Sequence, residues 1–316
     1  MKPALRYLLI MPAKFQRSPA VLRAMALAKR SSAELLLASF EYDKALDRAS
    51  SQGFDLPAYI AGRGQKLEEF AAGLRNEGFK ITTRIVWGQP LLPSMLREVL
   101  KERPKLVLKD VHAEPALQRL LFTTQDLELL RLCPAPLMLV RPGTGVLPQE
   151  IVAAVEPLDE DGRPHELNEQ ILKAAEEYGM QSGAGVDVVH AMQFVPLPAD
   201  PSALSAWVPD PMLQQELRKL HENMLNELGA RYGVEERHLH MLDGNPADAI
   251  AEFAAKYRAG LVIMGTVYRS ATERFFIGSV AEGLLDRLHC DLLALKPSGF
   301  AAALTEHLDK RTRKAA

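Results

Sequence analysis

The chain repeats itself. The segment VWGQPLLPSMLREVLKERPKLVLKD (86–110) aligns with LDGNPADAIAEFAAKYRAGLVIMGT (242–266); Gly88 matches Gly244 and Pro90 matches Pro246, each pair 156 positions apart. After a one-residue slip, LVLK at Leu106 pairs with LVIM at Leu261, and LLRLCPAPLMLVRP (129–142) then meets LLDRLHCDLLALKP (284–297). A period of about 150 residues is the length of a whole domain, so the chain reads as two copies of one fold. The stretch RPGTGVLPQE (141–150) has the Pro and Gly of a linker. This predicts a first domain over 1–142, a linker over 143–150, a second domain over 151–298 and a C-terminal tail over 299–316.

Within each copy, short apolar runs alternate with helical periodicity. The second copy reads strand IVAAV, helix 165–178, strand GVDVVHAM, helix 211–232, strand HLHML, helix 246–257, strand LVIMG, helix 279–289 and strand LLALK. In the helix from Pro211, Leu213, Leu217, Leu220, Met224 and Leu228 recur every three or four residues and form one apolar face. Strands apolar on both faces and separated by helices imply a doubly wound parallel α/β sheet. In such sheets ligands sit beyond the carboxyl ends of the strands, at the switch point of the strand order. Gly265 ends a strand of this kind.

Composition removes several classes of function. Hydrophobic residues make up 47% and charged residues 25%, which is ordinary for a globular chain. A net charge of −2 gives no basic field for a polyphosphate backbone, so no nucleic acid is expected as partner. The basic cluster DKRTRKAA at the end reads as a solvated C-terminus. No apolar run approaches the roughly 18 residues of a membrane helix, so no membrane insertion is expected. The N-terminal LRYLLIMPA is short, bounded by Pro3 and Pro12, and lacks a small-residue cleavage site. Cys133 and Cys290 show no CxxC spacing and read as small buried hydrophobes, which suits a reduced, cytoplasmic setting.

The stretch LVIMGTVYRSATERFFIGS (261–279) carries the candidate chemistry. Gly265 lets the backbone turn and approach a ligand, and Gly278 before Ser279 again permits close approach. The helix opened by Ser279 directs unpaired N–H groups and a positive dipole end at whatever sits there, and Arg269 adds a cation. Ser279 and Glu282 also form S-x-x-E, a capping box that accounts for both by helix stability alone. The first copy has Asp110 in place of Gly265 and Thr123-Thr124 in place of Gly278-Ser279, while Thr123 and Asp126 keep the capping pattern. A carboxylate at 110 repels phosphate, so if either copy binds a nucleotide it is the second.

On these residues the chain resembles tandem members of the universal stress protein family. The resemblance runs over about residues 4–298 and rests on the repeat, the G-x-P after the third strand and LLALKP. It implies two tandem five-stranded, Rossmann-like parallel sheets packed as an intramolecular pseudo-dimer through the edge strands LMLVR (137–141) and LLALK (292–296). Nucleotide-binding members carry G-x2-G-x9-G-[S/T] after the fourth strand. Gly265, Gly278 and Ser279 match that pattern, and Tyr268 stands where the second glycine belongs. An acidic residue ending the first strand touches the nucleoside in such members; here Glu156 holds that place in the second copy and Ala13 in the first. The implied function is non-catalytic stress response through a small ligand, with ATP or AMP in the second domain.

Two other readings stay open. Tyr268, Asp110 and Ala13 favour an interaction module without a nucleotide. Phe194, Trp207, Phe275 and Phe276, with FVPLPADPSALSAWVPDP, could line a cleft for an apolar or lipid-like ligand, or pack between domains. Asp110 with His112, and His238 with His240, lie two apart on strand-like runs, yet neither has three or four clustered ligands, so no metal is expected. There is no G-x-x-x-x-G-K-[ST], no G-x-S-x-G and no H-E-x-x-H, and no nucleophile with its base is evident.

Overall fold

The computed structural model of the chain describes residues 5–111, 124–157, 167–193, 211–266 and 279–315. The first half runs β1 (Arg6–Ile10), α1 (Pro19–Ser31), β2 (Glu34–Glu41), α2 (Lys44–Ser50), α3 (Leu56–Arg75), β3 (Ile81–Trp87), α4 (Leu91–Glu102), β4 (Leu106–Asp110), α5 (Thr124–Leu132) and β5 (Leu137–Val140). The second runs β6 (Glu150–Ala154), α6 (Leu167–Ser182), β7 (Gly185–Met192), α7 (Pro211–Tyr232), β8 (Leu239–Asp243), α8 (Pro246–Lys256), β9 (Leu261–Gly265), α9 (Ser279–Arg287) and β10 (Asp291–Leu295). A last helix, α10, spans Phe300–Ala315.

All ten strands belong to one sheet, in the order β3-β2-β1-β4-β5-β10-β9-β6-β7-β8. Each half is parallel within itself. The halves meet where β5 and β10 pair antiparallel, with Leu139 opposite Leu292, Met138 opposite Leu293 and Leu137 opposite Ala294. This is the pseudo-dimer expected of LMLVR and LLALK. Its cause is legible in β5: LMLV is apolar at every position and every residue is buried. Leu137, Leu139, Leu292 and Ala294 pack with α4, α5, α8, α9 and α10 on one face. Met138, Val140, Leu293 and Leu295 pack with α1, α3, α6 and α7 on the other. Both cores therefore continue across the seam.

Polar contacts at the seam are reciprocal. Arg141, just past β5, donates from Nη2 to the Leu285 carbonyl in the last turn of α9 at 2.7 Å. Lys296, just past β10, donates to the Leu130 and Arg131 carbonyls in the last turn of α5 at 2.7 and 2.9 Å. Each half thus supplies a nitrogen donor to the carbonyls that a helix C-terminus leaves unpaired in the other, although burial pulls the Lys296 ammonium down to about 7. Asp291 adds a contact that the first half does not mirror, since Pro136 stands near its counterpart position. Its fully buried carboxylate accepts from the Arg141 amide at 2.9 Å and the Thr144 hydroxyl at 3.0 Å, and lies 2.7 Å from Nη2 of Arg23 in α1. Burial raises the Asp291 carboxyl and lowers the Arg23 guanidinium, each opposed by the other's charge.

The turn after the third strand of each half is built on a glycine at the same position of the repeat. Gly88 and Gly244 have φ of +140° and +113°, values that favour glycine. Their amides bond back to the carbonyls of Glu41 and Met192.

The C-terminal tail expected over 299–316 contains a helix, α10, whose Phe300, Leu304 and Leu308 are buried in the core that also holds Met95, Leu96 and Val99 of α4. Spacing of four residues gives this stripe one helical face. The solvated reading concerned DKRTRKAA (309–316), whose side chains lie outside the described residues.

Replacing Asp291 by alanine should lower stability by about 3–5 kcal/mol, because Arg23 stays buried without its counter-charge. The Lys105–Glu177 pair also joins the halves, but both side chains are over a third exposed. Lys105→Ala should therefore cost less than about 1 kcal/mol. Urea midpoints for the two variants check the contrast; similar losses would contradict it.

Candidate functional site

The strand order reverses direction between β9 and β6 in the second half and between β4 and β1 in the first. These are the two crevices where a doubly wound sheet takes a ligand. In the second half, Glu156 follows β6 and presents an exposed side chain at the rim. Its backbone is fixed by Asn168, buried in the first turn of α6. The Glu156 amide donates to Asn168 Oδ1 at 3.1 Å, and Asn168 Nδ2 donates to the Glu156 carbonyl at 2.6 Å.

Gly265 closes β9 on the other side of the crevice. A Cβ there would lie 2.6 Å from Leu167 Cδ1 and 3.2 Å from Leu167 Cβ. A side chain at 265 would therefore have to push Leu167 of α6 aside, a packing reason for glycine additional to any ligand. Thr266, buried, donates from its hydroxyl to the Leu295 carbonyl at 3.1 Å. Ser279 opens α9. Tyr268, Arg269 and Gly278 lie outside the described residues, as do His112, Thr123, Phe194, Trp207, Phe275 and Phe276.

The first-half crevice is occupied by its own side chains. Asp110 accepts from the Ala20 amide at 2.8 Å, so its carboxylate takes the N-terminus of α1 as an anion would. Lys109 and Asp126 form a buried ion pair at 2.6 Å, where the second half has Met264 and Ala281. Beside them Arg63 reaches from α3 to Glu41 with three contacts of 2.7–3.1 Å. It also donates to the Ala13 carbonyl at 2.7 Å and lies 4.3 Å above the Phe15 ring. The strand registers align Met11 with Val155, so Pro12, not Ala13, is the counterpart of Glu156; Ala13, one residue further on, turns its carbonyl to Arg63.

Sequence reasoning missed a histidine pair next to Glu156. His190, buried near the end of β7, has Nδ1 3.2 Å from the Val155 carbonyl and Nε2 2.8 Å from Nδ1 of His221 in α7. The two ring planes lie within 2° of parallel. Burial pulls the His190 imidazole down to about 4, and lowers His221 as well. Ligand atoms of Glu156, His190 and His221 all lie within 4.8 Å of one another. Their separation in sequence hides them; the one local signal is a histidine in an otherwise apolar stretch, VVHAM. The histidines that spacing did single out, His238 and His240, both approach Oδ1 of Asp187 at 3.0 Å.

Cys133 and Cys290 are buried, and burial pushes their thiols up to about 11 and about 12, which leaves little thiolate at neutral pH. A groove of about 720 Å³ lies between α4 and α10, lined in part by Leu100, Pro104, Pro136 and Leu308, away from both crevices. Among the described residues no helix is long and apolar enough to cross a membrane.

Comparison with known proteins gives a consistent picture. The sequence model of the universal stress protein family matches residues 158–296. The chain is 30% identical to universal stress protein E of Escherichia coli (strain K12) over 245 residues, 76% of each chain. It is 27% identical to universal stress protein E of Photorhabdus laumondii over 290 residues, 89% of this chain and 91% of the relative. In structure it is similar to a functionally unknown protein from Pseudomonas aeruginosa PAO1, with a TM-score of 0.76 and 24% identity, covering 97% of this chain and 98% of that one. A universal stress protein from Archaeoglobus fulgidus gives a TM-score of 0.62 at 16% identity over 92% of this chain and 98% of that one. These two likenesses establish the fold.

His190 sets a pH dependence. Its folded pKa of about 4 lies below the ordinary 6.5, so its stabilising contribution is present above pH 6.5 and lost as pH falls toward 4. The loss should be on the order of 3 kcal/mol. His190→Gln should flatten the stability–pH curve in that window, measured by urea unfolding at pH 7 and pH 4.5; an unchanged slope would show that His190 is not held neutral.

Proposed function

Because the chain belongs to the universal stress protein family, we propose that it is a non-catalytic stress-response protein that binds one adenine nucleotide, ATP or AMP, in its second half. The observation that carries this reading is the contrast between the two crevices. The first is filled by Asp110, the Lys109–Asp126 pair and the Arg63–Glu41 pair. The second has Gly265 in place of Asp110, neutral Met264 and Ala281 in place of the ion pair, and Glu156 at its rim. A carboxylate at that rim suits the hydroxyls of a ribose, and the N-terminus of α9 suits a phosphate. Gly265, Gly278 and Ser279 supply the family's glycine pattern, and Arg269 a cation. Action by binding alone fits a sequence with no P-loop and no nucleophile elbow.

A second reading, an interaction module without a nucleotide, is favoured by Tyr268, which adds a ring where a glycine would open a nest of backbone N–H groups. The two readings separate by titration. Calorimetry with ATP should give one site per chain, weakened by Glu156→Ala and unaffected by Arg63→Ala. Two equivalent sites, or no binding at all, would overturn the proposal. Tyr268→Gly should strengthen ATP binding more than AMP binding, and each factor of ten in that difference corresponds to about 1.4 kcal/mol at the outer phosphates. Tight, ATP-selective binding by the unmutated chain, unimproved by glycine, would instead place Tyr268 inside a working site.

A further inference from the structure

We propose that Glu156, His190 and His221 form a binding site for a divalent transition-metal ion of the zinc class, at the carboxyl edge of β6 and β7. The proposal shares Glu156 with the nucleotide reading but rests on His190 and His221, which that reading does not use. Its basis is geometric: one carboxylate and two imidazoles offer ligand atoms within 4.8 Å of one another, from β7, α7 and the segment just after β6. Two histidines and a carboxylate are a donor set that zinc and similar ions accept, with positions left open for water or another ligand.

The surroundings of His190 suit a metal ligand. Its Nδ1–H donates to the Val155 carbonyl at 3.2 Å, which fixes the ring and leaves the Nε2 lone pair directed at His221. A backbone carbonyl holding the distal nitrogen is the usual second contact of a ligating histidine. Burial at 2% exposure keeps this imidazole neutral, the form that binds metal, well below neutral pH. Without an ion, His221 Nδ1–H donates to His190 Nε2 at 2.8 Å. An ion between the two nitrogens displaces that proton, and His221 takes up the Nε2–H tautomer with no net change in protonation. Tetrahedral coordination at Zn–N of about 2.0–2.1 Å needs the nitrogens about 3.3 Å apart. His221 is half-buried on α7, and Glu156 is at the rim with Oε1 3.8 Å from His190 Nδ1, so coordination requires these two side chains to shift toward His190 Nε2.

The partner site at Asp187, His238 and His240 serves as an internal control, since it too joins two imidazoles to a carboxylate, at the far edge of the sheet. The test uses the full chain, stripped of metal and free of nucleotide. Zn2+ is titrated in competition with a chromophoric chelator, and Co2+ binding is followed by its visible absorption. One ion per chain is expected at the proposed site. His221→Gln and Glu156→Gln, both at positions that leave the core intact, should each weaken it by at least about tenfold. The double substitution His238→Gln, His240→Gln should leave that ion in place. Circular dichroism confirms that the variants fold. An affinity unchanged in both His221→Gln and Glu156→Gln, loss of binding only in the His238/His240 double variant, or no stoichiometric binding by the folded chain would each overturn the proposal.

Discussion

An edge strand that is apolar on both faces cannot be left in water, and β5 and β10 are strands of this kind. Their residues are all buried, and each strand ends a parallel half-sheet whose remaining backbone groups need partners. Antiparallel pairing of one with the other satisfies both demands at once and makes a single ten-stranded sheet. The rest follows from that seam. Nitrogen donors just past each strand, Arg141 and Lys296, fall against the C-termini of the opposing α9 and α5 because the pairing brings them there. Asp291, at the start of β10, meets Arg23 and Thr144 for the same reason.

The seam also explains why two copies persist although their crevices differ, with Asp110 and the Lys109–Asp126 pair in the first where the second has Gly265, Met264 and Ala281. Each half needs the other's edge strand, so neither can be lost; nothing in that requirement protects a ligand site. In the first half, charged side chains line the crevice with interactions that hold the local fold: Asp110 on the N-terminus of α1, Lys109 with Asp126, and Arg63 between Glu41 and Ala13. The buried Lys109–Asp126 pair is a poor stabiliser by itself, since both charges leave water to form it. It is better understood as a consequence of keeping the two charges together once either is present.

Periodicity made most of the fold legible. Strands apolar on both faces and a repeat that aligned Gly88 with Gly244 led to the strands and their alternation with helices, while the edges that pair were implied by the family resemblance. These features depend on local composition and on chain length. The reciprocal cap was not legible, although its residues are aligned in the repeat, because its partners are backbone carbonyls that any sequence provides. The helix α10 was missed where a stripe of Phe300, Leu304 and Leu308 adjoins a basic run. At the candidate site, Gly265 and Ser279 were found by their local pattern, but the packing of Leu167 against Gly265 was not, since it joins residues 98 positions apart. His190 and His221 escaped for the same reason: a cluster from separate elements has no signature in spacing.

The seam joins two copies whose crevices are lined differently, and the proposed nucleotide belongs to the second, where Gly265, Met264 and Ala281 replace the charges of the first. Peptide-resolved hydrogen exchange of the full chain, with and without saturating ATP, tests that assignment most directly. The account predicts added protection in peptides spanning Val155 to Asn168 and the start of α9, with no change in those spanning Ala13 to Ala24 or Lys109 to Val111. Equal protection in both halves, or protection confined to the first, would contradict it.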